Sequence, residues 1–276
     1  MPSLPQPLNK FYADRGPHLA AMIAYFALLS FVPLLFLTIS ALSLAGRPDE
    51  SSYLVTELKR AFPGSSISSI VHTVRAIQNH ATALGIVGAA GLLWTSLSLF
   101  SVLESAFNIV YGQPNRSFLR GKLLAVGLLL VSLVTLFFGL LAGSVGFDLL
   151  KRYAAGVAGN SYVAYGLSVA VSTIAVFVFL FALYYLLTNV EHSFFDVLPG
   201  TIVAAVLLET SFQVLPIYVR YSNNVVALKA FGGPALLLVW LYVMANVIVF
   251  GAEVNWRYAE THRPPRADEQ EATGLA

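Results

Sequence analysis

The chain has 276 residues, of which 57% are hydrophobic and 11% charged, with a net charge of +2; a soluble globular domain carries about a quarter charged residues. That balance excludes an ordinary water-soluble domain, and the scattering of bases among acids excludes a basic nucleic-acid groove. The absence of cysteine excludes disulfides and thiolate chemistry.

At the amino terminus Lys10 and Arg15 precede an apolar run from Leu19 to Gly46. The run greatly exceeds the roughly 7 to 15 residues of a signal-peptide core, so it reads as a first membrane span even though SLAG at Ser43 to Gly46 suits a signal peptidase. With charges as punctuation, six spans are expected at about 19–45, 82–103, 123–147, 162–188, 197–219 and 231–252. Each is long enough to cross about 30 Å of hydrocarbon as a helix, whose backbone groups satisfy one another. The expected fold class is therefore all-α, a polytopic membrane helix bundle forming one domain over 1–258, with a polar tail at 259–276.

Between the first two spans, Leu54, Val55, Leu58, Ala61 and Phe62 recur at helical spacing, and Ile67, Ile70, Val71, Val74 and Ile77 follow after Pro63 and Gly64. The insert at about 47–80 reads as two amphipathic helices lying on the membrane or bundle surface, or as a small extramembrane hairpin. The charge-free stretch Tyr153 to Val190 is longer than one span needs, and its first part is expected at the interface or in a short extra helix. From Arg257 onward the polar tail, with Pro264, Pro265, Asp268, Glu269 and Glu271, is expected to be disordered. An even number of spans puts both termini on one side. Lysine and arginine number eight on each side; giving less weight to Lys59 and Arg60, in the middle of a long connection, tilts the count toward cytoplasmic termini.

Polar residues inside the spans are the candidate site. Glu209 sits near the middle of TIVAAVLLETSFQVLPIYV, on one stripe with Thr201, Ala205 and Gln213; the cost of an acid in hydrocarbon turns that stripe toward protein or a wet cavity. Trp94, Ser98, Ser101, Ser105 and Asn108 follow one face of the second span, with Glu104 on a neighbouring line. Asn246 and Glu253 lie two turns apart in the last span, and Tyr25 and Ser30 lie near Pro33 in the first. A substrate or proton path would use Glu209, Gln213, Glu104, Asn108, Tyr25, Ser30, Asn246 and Glu253. The bland counterpart is structural: hydrogen bonds between helices, and acids at helix ends reaching the interface. Small residues in GIVGAAG, at Gly139 and Gly143, and at Ser168 and Ser172 are packing positions. Pro33, Pro199, Pro216 and Gly232-Gly233-Pro234 are candidate kinks or breaks. No Walker loop, GxSxG elbow or HExxH occurs, and no histidine pair has metal-ligand spacing; no catalytic residue, cofactor or metal is expected.

Taken in order, AYFALLSFVPLLFLTISAL at 24–42, LLWTSLSLFSVLESAFNIVYG at 92–112 with RSFLRGKLLAVGL at 116–128, FFDVLPGTIVAAVLLE at 194–209 and GPALLLVWLYVMANVIVFGAEVN at 233–255 resemble the YihY/virulence factor BrkB family of bacterial inner-membrane proteins. Thr188 and Leu208 depart from the family's usual proline and tryptophan. The resemblance implies a six-helix inner-membrane protein with cytoplasmic termini, and a role in envelope biogenesis that includes movement of lipids or lipid-linked molecules; an older ribonuclease label has no support in these residues. Two functional readings follow: a secondary transporter or lipid translocator with a polar path around Glu209, and a non-transporting envelope scaffold that holds a partner through its amphipathic insert. A membrane enzyme acting on lipid is a third. Expected partners are membrane lipids, a lipid-like or small-molecule substrate and, at most, further copies of the chain, without nucleic acid.

Overall fold

A computed structural model describes residues 6–44, 81–133, 161–191, 193–222 and 226–262. The described residues form seven helices: α1 (Gln6–Ala13), α2 (Gly16–Leu44), α3 (Ala81–Val110), α4 (118–133), α5 (Ser161–Leu187), α6 (Phe194–Ser222) and α7 (Val226–His262). No strand occurs among them. α2, α3, α6 and α7 are each long and apolar enough to cross a membrane. The third expected span runs past residue 133, beyond the described residues, and Thr173–Leu187 within the fourth is a shorter apolar helix. The insert at 47–80, Gly139 and Gly143, and the tail from residue 263 lie outside the described residues, as do the side chains of Ser168 and Ser172.

Long helices alternate in direction, so that the start of α2, the ends of α3 and α5, the start of α6 and the end of α7 gather at one end of the bundle. Local sequence sets these boundaries. α3 stops in a Schellman cap: Gly112 takes φ 62°, its N–H bonds Ile109 O at 3.1 Å, and Gln113 N–H bonds Asn108 O at 2.8 Å, a conformation that glycine adopts without steric cost. α6 starts with Asp196 capping Ser193: Asp196 Oδ2 accepts Ser193 N–H at 2.9 Å, one half of a capping box, and Asp196 N–H bonds the Ser193 backbone carbonyl at 3.0 Å.

Small residues place the helices. Side chains added at Gly85, Gly88 and Gly91 would press on Ser40, Phe36 and Pro33 of α2, so the GIVGAAG packing face is used as its spacing predicts. α6 and α7 touch backbone to backbone at Gly200 and Gly251, beside Ala204 and the Tyr184 hydroxyl of α5. Tyr184, 1% exposed, lies against Phe107 with ring centroids 5.2 Å apart and donates to Ile248 O at 2.8 Å, which joins α3, α5 and α7 and satisfies its polar tip in the core.

Two expectations about helix punctuation change. α2 runs unbroken through Pro33 and α6 through Pro199 and Pro216. α7 begins at Val226, ahead of Gly232-Gly233-Pro234, and continues through Arg257 to His262, so the polar segment starting at Arg257 is helical for its first turn and a half. A proline inside a helix leaves the carbonyl four residues earlier without its N–H partner, and membrane helices tolerate this where neighbouring helices, hydroxyl side chains or local adjustment of the helix satisfy that group.

Candidate functional site

Polar side chains cluster where the helix ends gather. Each α-helix ends with carbonyls that have no partner within the helix, and two cations from elsewhere in the sequence meet them. Lys10 of α1 donates to Val110 O at 2.7 Å, pairs with Asp14 one turn later, stands 3.4 Å from Glu253 Oε2 and lies 4.4 Å over the Trp256 ring. One ammonium thus binds α1, the end of α3 and α7, placed favourably for the α3 dipole. Phe11, edge-on to Phe250 at 6.1 Å, buries the apolar side of the same helix.

Arg116, in the α3–α4 connection, performs the matching task for α5. Its guanidinium donates to Leu187 O and to Thr188 O at 2.8 Å, and reaches Glu104 Oε1 at 3.5 Å. The same carboxylate oxygen accepts the Arg116 backbone N–H at 3.1 Å. Asn108, fully buried, accepts Asn189 N–H at 2.8 Å and donates to Asn115 Oδ1 at 3.0 Å, while Asn189 Nδ2 donates to Pro114 O at 3.0 Å. Asn255 Oδ1 accepts Gly200 N–H at 2.6 Å. The planar, multidentate guanidinium and the amides stitch two connections, 111–117 and 188–193, into one polar layer.

Of the eight residues expected to form a path, the structure places Glu104, Asn108 and Glu253 in this layer. Glu104 and Glu253 do not reach outward to the interface from their helix ends; they are 6% and 0% exposed because Arg116 and Lys10 meet them inside. Glu209 and Gln213 form a second, separate pair. Thr201, Ala205 and Glu209 are buried, Glu209 at 9% exposure, whereas Gln213 is exposed and donates to Glu209 Oε1 at 2.9 Å. The stripe therefore leads from the polar layer outward to the bundle surface. The remaining three stand apart. Tyr25 is 54% exposed and stacks edge-on with Phe26; Ser30 is buried and bonds Phe26 O at 2.9 Å; Asn246 bonds Tyr242 O at 2.7 Å within its own helix.

Sequence reasoning missed Lys10, Asp14, Arg116, Asn115 and Asn255 as members of the polar layer. The spacing of Lys10 and Asp14, four apart on a short amphipathic helix, was the available signal. Arg116 had none, because its partners Leu187 and Thr188 offer backbone atoms. Among the described residues no three His, Asp or Glu side chains come together as a metal site.

The sequence matches the family described as Virulence factor BrkB over residues 8–275. Relatives include the putative ribonuclease-like protein YfkH of Bacillus subtilis, 25% identical over 265 residues that cover 92% of this chain and 94% of that protein. UPF0761 membrane proteins of Rhodospirillum centenum and Rhodospirillum rubrum are each 28% identical, with 89% and 93% of this chain covered. The chain spans 55% and 60% of the length of those two. No solved structure matches it. With long apolar helices, a polar layer at one end and a family match along nearly its whole length, the chain belongs to the Virulence factor BrkB family of multi-pass membrane proteins.

Proposed function

We propose that the protein moves a lipid or another amphipathic envelope component across the bacterial inner membrane, along a polar path on α6 that contains Glu209 and Gln213. The observation that carries this reading is the position of Glu209. It lies 15 residues beyond Phe194, about 22 Å along the helix at 1.5 Å per residue, inside a hydrocarbon layer of about 30 Å. A carboxyl group in hydrocarbon costs up to about 2.5–3.5 kcal/mol on insertion scales, the value at the centre of the layer, and marks substrate or ion pathways by default. Its partner Gln213 opens to the bundle surface, where the headgroup of an amphipathic molecule could be handed between water and the stripe while its tails stay in lipid.

The test is flux in proteoliposomes containing a fluorescent phospholipid, with quenching of the outer leaflet as the readout. Glu209→Gln is expected to cut the rate by about tenfold or more, which requires a loss of only about 1.4 kcal/mol along the path, while size-exclusion behaviour stays unchanged. A rate equal to that of the unaltered protein would remove Glu209 from the mechanism, and equal rates in protein-free vesicles would end the translocation reading.

The same reading places the termini in the cytoplasm. The polar end carries Lys10, Arg116, Arg120 and Arg257, the sign expected of the cytoplasmic side. Because the chain contains no cysteine, single introduced thiols report topology directly. Tyr12→Cys, at a position 61% exposed on α1, is expected to resist a membrane-impermeant maleimide in intact spheroplasts, and Leu44→Cys, 65% exposed at the far end of α2, to react. The opposite pattern would invert the orientation.

A further inference from the structure

The face of α3 that carries Trp94, Ser98 and Ser101 receives one charged group from α4, Lys122. Its ammonium donates to Ser101 Oγ at 3.0 Å and Leu97 O at 3.3 Å, and lies 5.7 Å from the Phe118 ring centroid. All three neighbours are uncharged, and among the described residues no carboxylate forms an ion pair with Lys122.

The direction of this side chain is unusual for a lysine near a membrane boundary, which ordinarily extends its ammonium toward water. Gly121, the preceding residue, is level with Glu104, but the Lys122 ammonium is found at Ser101 and Leu97, farther from the polar end of α3. It points along the helix pair into the apolar region. Around it the surface is wide and apolar: Trp94 is 78% exposed, Phe118 81% and Leu119 69%. Glu104, the nearest acid in the α3–α4 hairpin, is already held by Arg116. A cation below the interface, bonded to neutral acceptors and ringed by exposed aromatic and aliphatic groups, is complementary to an anion that brings its own hydrocarbon.

We propose that the outer face of α3 and α4 is a binding site for an anionic phospholipid, with Lys122 as the contact for the phosphate, Ser101 and Ser98 hydroxyls beside it, Trp94 against the acyl chains, and Phe118 and Leu119 flanking the headgroup on the side of the polar end. Basic pockets between membrane helices bind acidic lipid headgroups in this way. Ser101, now an acceptor of the ammonium, holds Lys122 in place; Ser98, bonded to Trp94 O at 3.3 Å, can rotate its hydroxyl toward a phosphate oxygen. The site is on a different helix pair from the Glu209 stripe, and it requires retention of a lipid, not movement.

Native mass spectrometry of the purified full chain, with phosphatidylglycerol and phosphatidylcholine of identical acyl chains added in equal amounts, tests the site. Phosphatidylglycerol is expected to be retained in preference. Lys122→Met, which keeps most of the apolar stem, is expected to weaken that preference by about fivefold, the worth of one basic residue toward acidic lipid. Lys122→Arg is expected to keep it, as is Arg120→Gln, which removes a charge two residues away on the opposite side of the helix. Equal retention of the two lipids by the unaltered protein would overturn the proposal whatever the folding of the variants. So would an undiminished preference in Lys122→Met, or displacement of the lipid by millimolar inorganic phosphate, which would identify a site for a free anion.

Discussion

Gly200→Ala is expected to destabilise the protein by about 3 kcal/mol or more, at or beyond the top of the usual range for overpacking. The added methyl group would lie 2.6 Å from Asn255 Cγ and Oδ1, and closer still to Gly251 O. Neither neighbour can withdraw. Gly251 O belongs to a helix backbone, and Asn255 is held by its bond to Gly200 N–H itself. Gly251→Ala should act in the same direction, since its methyl group would lie 2.8 Å from Ala204 Cβ and press on the Tyr184 hydroxyl. Gly127→Ala is the internal control: among the described residues nothing lies within 4 Å of its added carbon, so the change should be neutral or gain up to about 1 kcal/mol from helix propensity. Unfolding of the purified proteins in mixed micelles measures all three. Equal stability of the Gly200 and Gly127 variants would show that α6 and α7 do not meet at these glycines.

Arg116→Leu is expected to cost about 3–5 kcal/mol, the range found when one partner of a buried ion pair is removed. The loss has two sources. Glu104, 6% exposed, would be left with the backbone N–H of residue 116 as its remaining donor from that turn, and the Leu187 and Thr188 carbonyls at the end of α5 would lose their cation. Glu104→Gln with Arg116→Leu separates these effects. Removing the charge that Arg116 compensates should return part of the stability, giving a coupling of about 0.5–3 kcal/mol between the two positions. Strictly additive losses would mean that the guanidinium acts on α5 alone.

The first, second, fifth and sixth expected spans were legible because hydrocarbon imposes one requirement, a long apolar helix, that averages over many residues. The GIVGAAG packing face and the inward run Thr201, Ala205, Glu209 were legible too, since both follow helical periodicity. Trp94 shows where periodicity stops short. It shares a face with Ser98 and Ser101, yet that face turns outward at Trp94, because a stripe gives the relative direction of its members and not the partner it faces. The polar layer was the least visible feature. Its bonds join residues far apart in the chain, such as Asn189 to Asn108 and Arg116 to Leu187, and most of them use backbone atoms that carry no residue identity. Lys10 and Arg116 entered the sequence reading as topology charges; their pairing with buried acids depends on which helix ends become neighbours.

The contacts of Lys10 also fix an order of events during synthesis. Its partner at Val110 is made one hundred residues later, and Glu253 and Trp256 follow only when α7 leaves the ribosome. Until then Asp14 and the end of α3 are the only partners among the described residues within reach of the α1 ammonium, and its set of contacts closes once α7 is in place. A chain truncated before residue 253 would leave that lysine without its buried carboxylate, so that damage at one end of the sequence is felt at the other.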